Sequence, residues 1–251
     1  MKLLIDIGNT RIKWATVRDG AFAATGECDH RLQDADAAMQ FLSQIRPAPE
    51  RVQVANVAGD ALGEALEGAV RERWKLPVEF ASTQSAAGAV RNGYDDYRQM
   101  GVDRWLGILA TRHQHAQAAC IVDAGTAVTI DQIDASGQHL GGVIVPGLDL
   151  MRRALVSDTG DIERLAAPAE NTPVADRLII GRNTADAING GALSAICGLI
   201  EYSVAQLRNR DGDTVLIMTG GDAERIIPHL GVAADHRPAL VLEGLRIYVP
   251  G

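Results

Sequence analysis

One motif, used twice, constrains this chain more than any other feature. Residues 3–8 (LLIDIG) are a short apolar run ending in Asp-x-Gly, and 10–18 (TRIKWATVR) alternate like a half-buried strand. Residues 120–133 (CIVDAGTAVTIDQI) repeat the pattern: an apolar strand, Asp123-Ala124-Gly125, a threonine and a second alternating strand. Asp6 corresponds to Asp123 and Gly8 to Gly125, both at an offset of 117 residues, and Thr10 to Thr126 after one deletion. Asp19-Gly20 and Ser136-Gly137 then supply a turn after each second strand. The offset is too long for a solenoid. It implies two similar α/β domains, each opening on a β-hairpin whose tip carries Asp, Gly and Thr.

The remaining punctuation agrees. In the first half, helices are expected near 34–46, 59–75 and 101–117, and strands at 51–57 and 78–81, with a loop over 82–100. In the second half a strand at 139–145 leads to a helix from about 147 and a polar loop at 158–175. A long helix near 183–209, a strand at 213–219, a helix near 222–230 and a closing strand complete it. Strands alternating with helices give an α/β layer architecture. The chain has 251 residues, enough for one large domain or two ordinary ones, and the repeat selects two, 1–117 and 118–251.

Composition removes several classes of function. With 24 Lys+Arg against 32 Asp+Glu the net charge is −8, the wrong sign for a general nucleic-acid or anionic-membrane binder. At 47% hydrophobic the chain is not a disordered one. There is no Gly-x-x-x-x-Gly-Lys-Ser/Thr, no Gly-x-Gly, no His-Glu-x-x-His and no Gly-x-Ser-x-Gly. The lysines are only Lys2, Lys13 and Lys75, and the six histidines form no ligand cluster. Three widely spaced cysteines include no Cys-x-x-Cys, and Cys120 and Cys197, in apolar runs, are expected to be buried. Asp6 interrupts any leader-like apolar run, and a cytoplasmic location is expected.

A repeated Asp-x-Gly-x-Thr hairpin has a chemical reading. Glycine at the tip lets backbone approach a ligand closely, and the amides around it can cradle phosphate. The threonine adds a hydroxyl donor, and the aspartate can hold a hard cation. Two such hairpins facing an interdomain cleft would grip a nucleotide from both sides. Two further segments have two readings each. VLIMTGGDA (215–223) is either a platform for a base or ribose or an ordinary strand–helix turn; GGVIVPGLDLM (141–151) is either a wall under the substrate or a structural turn.

These residues resemble the acetate and sugar kinase/Hsp70/actin superfamily, and more narrowly the type III pantothenate kinases. The matching pieces are DIGNTRIK (6–13), NGY (92–94), GVDRW (101–105), DAGTAVT (123–129), GGVIVPG (141–147) and NTADAINGG (183–191). Tyr97 and Met100 stand where family members carry proline and leucine. The resemblance implies two ribonuclease H-like (actin-like ATPase) domains with an interdomain cleft, phosphorylating pantothenate with ATP in coenzyme A biosynthesis.

It also implies roles. Asp6, Ile7, Gly8, Asn9, Thr10, Arg11, Ile12 and Lys13 would surround ATP, with Asp6 near Mg2+ and Thr126 touching ATP from the second hairpin. Asp123 would hold a monovalent cation, K+ or NH4+. Asp103 would be the general base for the pantothenate hydroxyl, and Arg104 would face the pantothenate carboxylate. Tyr94, Gly101, Val102 and Thr184 would be further substrate contacts, and Trp105 core. By spacing alone, Asp103-Arg104 also reads as an ion pair opening a helix. A homodimer is implied, and the apolar helix 187–204 is either its interface or an ordinary buried helix. Rival functions are an ATP-binding regulatory protein, another small-molecule kinase or phosphatase of the superfamily, and a ribonuclease H-type nuclease. The net charge and the threonine-bearing hairpins oppose the nuclease.

Overall fold

Apolar strands followed by alternating partners build two sheets of the same topology. A computed structural model of the chain describes residues 1–30, 39–157 and 180–249. In the first half, β1 (Lys2–Ile7) pairs antiparallel with β2 (Arg11–Arg18), which pairs antiparallel with β3 (Ala21–Asp29). Asp19 and Gly20 join β2 to β3 with φ of 51° and 78°, the two positive values that a two-residue hairpin turn needs. β4 (Arg51–Asn56) lies parallel to β1 on its other side, and β5 (Val78–Phe80) parallel to β4, giving the order β3-β2-β1-β4-β5.

Leu3, Ile5, Ile7, Val52 and Val54 pack with Leu66 and Val70 of helix α1 (Asp60–Trp74). The expected loop at 82–100 contains a small hairpin, β6 (Ala86–Ala87) and β7 (Val90–Arg91), and a 3₁₀ turn at Tyr97–Gln99. Helix α2 (Val102–Gln114) follows. Of the helix expected near 34–46, residues 31–38 lie outside the described residues, and Met39–Gln44 is a 3₁₀ helix.

The second half repeats the order. β8 (Ala118–Ala124) and β9 (Ala127–Ile133) form the second hairpin, and β10 (His139–Pro146) lies beyond β9. After helices α3 (Leu148–Ser157) and α4 (Thr184–Asp211), β11 (Thr214–Thr219) lies parallel to β8 and β12 (Asp235–His236) to β11. The order β10-β9-β8-β11-β12 is that of the first sheet. Two ribonuclease H-like units therefore stand where the sequence repeats. The loop expected at 158–175 lies outside the described residues.

Helix α4 is long and apolar enough to cross a membrane by length and composition alone. Its stripe of Ile196, Cys197, Ile200, Val204 and Leu207 packs instead with Cys120, Val122, Leu216 and Met218 of β8 and β11. Burial pushes the Cys120 thiol up to about 12 and the Cys197 thiol to about 11, so both stay protonated near neutral pH and are inert.

The chain ends differently from expectation. The helix near 222–230 is a single turn, α5 (Ala223–Ile226), run into a 3₁₀ turn at Ile227–His229. The expected closing strand is only the two residues of β12, and the chain closes on helix α6 (Leu240–Ile247). Burial at Leu240, Val241, Leu242, Gly244 and Leu245 follows a helical face. α6 packs on α2 through Gly244, where a Cβ would fall 2.1 Å from Leu106 O. That packing returns residues 239–251 to the first unit, which comprises 1–116, 137–139 and 239–251; the second comprises 117–136 and 140–238. The expected boundary at 117/118 is thus supplemented by two returns of the chain.

Candidate functional site

Each unit holds its hairpin tip from several sides. In the first, Gly8 N–H donates to Arg11 O at 3.0 Å across the turn, and Val57 N–H donates to Ile7 O at 3.0 Å. His30, buried after β3, clamps the same tip twice. Its backbone N–H donates to Thr10 O at 3.1 Å, and its ring Nε2 donates to Gly8 O at 2.7 Å. Asp6 lies in register with Lys13 across the hairpin and with Ala55 of β4. Paired residues in register share a face, so the first aspartate stands beside an ammonium. Ile7 and Ile12 are fully buried in the core, so only their backbone is available to a ligand, whereas Asn9 and Arg11 are exposed.

The second tip is held by two glycines. Gly147 N–H donates to Thr126 O at 2.9 Å, and a Cβ on Gly147 would meet Gly125 O at 2.1 Å. Asp222 N–H donates to Ala124 O at 2.8 Å. Gly220 takes φ +93°, and a Cβ there would meet Ala124 O at 2.3 Å. Both two-way segments turn the chain directly under the tip that carries Gly125 and the exposed Thr126. Asp123 lies in register with Thr129 of β9 and Thr219 of β11, two hydroxyls where Asp6 has an ammonium on one side.

The tip glycines themselves behave differently. Neither Gly8 nor Gly125 has a left-handed φ. A Cβ would come no closer than 3.4 Å at Gly8 and 3.7 Å at Gly125, which is van der Waals contact. Nothing within the described chain demands glycine at either tip.

A separate constellation lies in the first unit at the start of α2. Gly101 caps the helix with its carbonyl, which accepts from Trp105 N–H at 3.1 Å. Asp103 Oδ1 accepts the Arg104 N–H at 2.8 Å, placing a carboxylate at a helix N-terminus, where the dipole favours negative charge. A Cβ on Gly101 would lie 2.6 Å from that Oδ1, so glycine here makes room for the carboxylate. Arg104, only 9% exposed, donates from Nη1 to Tyr94 Oη at 2.8 Å, its guanidinium 5.5 Å from the ring centroid. Val102 and Trp105 are buried.

The loop carrying Tyr94 is firmly held. Tyr94 N–H donates to Asn92 Oδ1 at 3.0 Å, and Asn92 Nδ2 donates to Met100 Sδ at 3.4 Å. Met100 is 2% exposed and its carbonyl accepts from Thr83 Oγ1 at 2.8 Å. Tyr97 is exposed at the 3₁₀ turn. Gly93, Tyr94, Asp95, Asp96 and Gln99 line an open cavity of about 420 Å3. Arg98 holds the Asp96 carboxyl below its usual range, and the two aspartates make this cavity a poor seat for an anion.

The structure thus gathers Tyr94, Gly101, Val102, Asp103 and Arg104 in the first unit, and Asp123 and Thr126 in the second. Thr184 opens α4 in the second unit, behind Asn183, whose Oδ1 caps Asp186 N–H at 2.9 Å. The parts played by His30, Gly147 and Gly220 carry no local signal, because each acts on a residue twenty or more positions away.

The match to known families agrees with these features. A family model described as type III pantothenate kinase matches residues 2–206. A type III pantothenate kinase from Nitrosococcus oceani is 37% identical, over 98% of this chain and 92% of its own. Another, from Azoarcus sp. strain BH72, is 39% identical over 98% and 90%. Among solved structures, a Campylobacter jejuni protein described as a Baf family transcriptional activator superposes with a TM-score of 0.61 at 22% identity, covering 97% of this chain and 95% of its own. That likeness bears on the fold alone.

The glycines around the second tip differ in a measurable way. Gly220→Ala, forced to φ +93° against Ala124 O, is expected to lose about 1–3 kcal/mol in urea unfolding. Gly125→Ala is expected to stay within about 1 kcal/mol of the parent. Equal losses would contradict the assigned packing.

Proposed function

The chain belongs to the type III pantothenate kinase family, and from that premise we propose how its residues divide the work. The activity is transfer of the γ-phosphoryl group of ATP to the primary hydroxyl of pantothenate, in coenzyme A biosynthesis. The observation that carries the site is Gly101, whose missing Cβ leaves room for the Asp103 carboxylate on the Arg104 N–H at the start of α2.

Phosphoryl transfer needs in-line positioning and compensation of charge on the phosphate oxygens more than covalent chemistry. Residues Asp6–Lys13 contact ATP from the first hairpin, with Thr10 and Lys13 toward phosphate, and Thr126 contacts ATP from the second. The unforced glycines at 8 and 125 support this, since backbone without a Cβ is what a phosphate can approach. Arg104 takes the pantothenate carboxylate, for which its planar fork is suited. Tyr94, Gly101, Val102 and Thr184 contact the same substrate. Asp103 accepts a hydrogen bond from the attacking hydroxyl. A carboxylate is too weak a base to ionise an alcohol outright, so it chiefly orients the oxygen and takes the proton as the P–O bond forms.

A divalent ion, Mg2+, accompanies ATP and would neutralise phosphate charge, and Asp6 is the carboxylate of the first tip able to face it. Asp123 would hold K+ or NH4+. Its registered neighbours are the hydroxyls of Thr129 and Thr219 rather than an ammonium, a donor set of oxygens that suits a weakly charged cation. The acting unit is a homodimer in the cytoplasm. In support, α4 presents exposed Gly191, Ser194, Ala195, Gly198 and Tyr202 along one stripe, with Tyr202 64% exposed.

ADP release with ATP, Mg2+ and K+ should depend on pantothenate, and Asp103→Asn should lower kcat at least a hundredfold while ATP still binds. Retained turnover would remove Asp103 from its role. Asp123→Ala should abolish the difference in rate between K+ and Na+; an unchanged cation profile would refute that assignment. Tyr202→Glu should shift sedimentation from dimer toward monomer, and a parent that sediments as a monomer would refute the dimer.

A further inference from the structure

The turn between β9 and β10 does more than join two strands. Residues 137–139 belong by their contacts to the first unit, woven against the loop that carries Tyr94. Arg91 N–H donates to Gly137 O at 2.9 Å, and Arg91 forms a parallel bridge with Gln138. Gly93 runs so close to this segment that a Cβ would fall 2.0 Å from His139 O.

His139 is a polar side chain only 1% exposed, and it touches the Gly93-Tyr94 dipeptide in two ways. Its Nδ1 accepts the Gly93 N–H at 3.3 Å, which places the ring proton on Nε2. Its ring stacks on Tyr94, with centroids 5.9 Å apart and planes at 23°. Tyr94 Oη in turn accepts from Arg104 Nη1. A core hydrocarbon would fill the space as well, but it could not hold the Gly93 amide. The imidazole fixes both the backbone and the ring of Tyr94, and the phenol oxygen then sets where the nearly buried guanidinium points.

We propose that His139 is a positioning residue for acceptor binding: it locks Gly93-Tyr94 so that Tyr94 Oη presents Arg104 to the carboxylate of the substrate. This rests on the reading of Tyr94 and Arg104 as pantothenate contacts. Its effect should fall on pantothenate rather than ATP, because the residues assigned to ATP are those of the two hairpin tips.

The test is steady-state kinetics of the full chain, varying pantothenate and ATP separately, with thermal melting alongside. His139→Phe keeps the stack and loses the acceptor. It should raise the pantothenate KM about tenfold, the worth of one well-placed hydrogen bond, and leave the ATP KM within about twofold. His139→Asn, which keeps an acceptor near the Nδ1 position, should recover part of that loss. A fall in melting temperature with an unchanged pantothenate KM, or equal rises in both KM values, would overturn the proposal. Arg104→Gln separates the two levels. If it raises the pantothenate KM and His139→Phe does not, only the His139 role falls; if it changes nothing, the reading of Arg104 falls and the proposal with it. Should both His139 variants fail to fold, nitrogen NMR of the histidine-labelled parent serves instead. An unprotonated Nδ1 whose resonance moves on adding pantothenate supports the role, and a protonated or unresponsive Nδ1 overturns it.

Discussion

Both hairpin tips of this protein depend on one arrangement, a central strand held between a hairpin partner and a parallel strand. β1 is flanked by β2 and β4, and β8 by β9 and β11. The parallel neighbour fixes the end of the central strand, and the hairpin fixes the first residues beyond it. Each aspartate at that end, Asp6 or Asp123, is therefore held by hydrogen bonds on both sides rather than carried on a free loop. Ligands in α/β sheets gather at such carboxyl ends of parallel strands, because the next backbone groups there are directed outward. Further restraints fix the tips: His30 on the first, Gly147 and Gly220 on the second.

The two copies are alike in backbone and unlike in charge. The first pairs its aspartate with Lys13, and the second flanks its aspartate with Thr129 and Thr219. That difference fits a division in which one hairpin meets phosphate with a cation of its own and the other recruits a cation. It also makes sense of an acidic chain with three lysines handling an anionic substrate. Amides, hydroxyls and bound ions can compensate local charge without a basic groove.

Much of this was legible in the residues. Asp-x-Gly-x-Thr repeated at a long offset marks two hairpins because alternation and turn chemistry are local properties. Asp19-Gly20 shows it: a turn requiring two positive φ values occurs where those residues stand. The end of the chain was less legible. LVLEGLRI satisfies an apolar strand or a helix equally well over eight residues, and packing of Gly244 on Leu106 decides for the helix. Met100, where the family carries leucine, is buried and its sulfur accepts from Asn92 Nδ2, a contact between side chains eight residues apart that the sequence does not announce.

The sequence by itself determined the duplication, the absence of a P-loop, the hairpin tips and the Gly-x-Asp-Arg at a helix start, because each is written in neighbouring residues. Tertiary structure alone decided why particular glycines are glycines. Gly101 yields to a carboxylate two residues on, Gly147 and Gly220 to the backbone of a strand end, and Gly244 to another helix, whereas Gly8 and Gly125 yield to nothing in the described chain. It alone also brought His139 to Tyr94 and residues 239–251 back to the first unit. Such contacts join residues far apart in the chain, and a close approach between distant backbones leaves no periodicity to read.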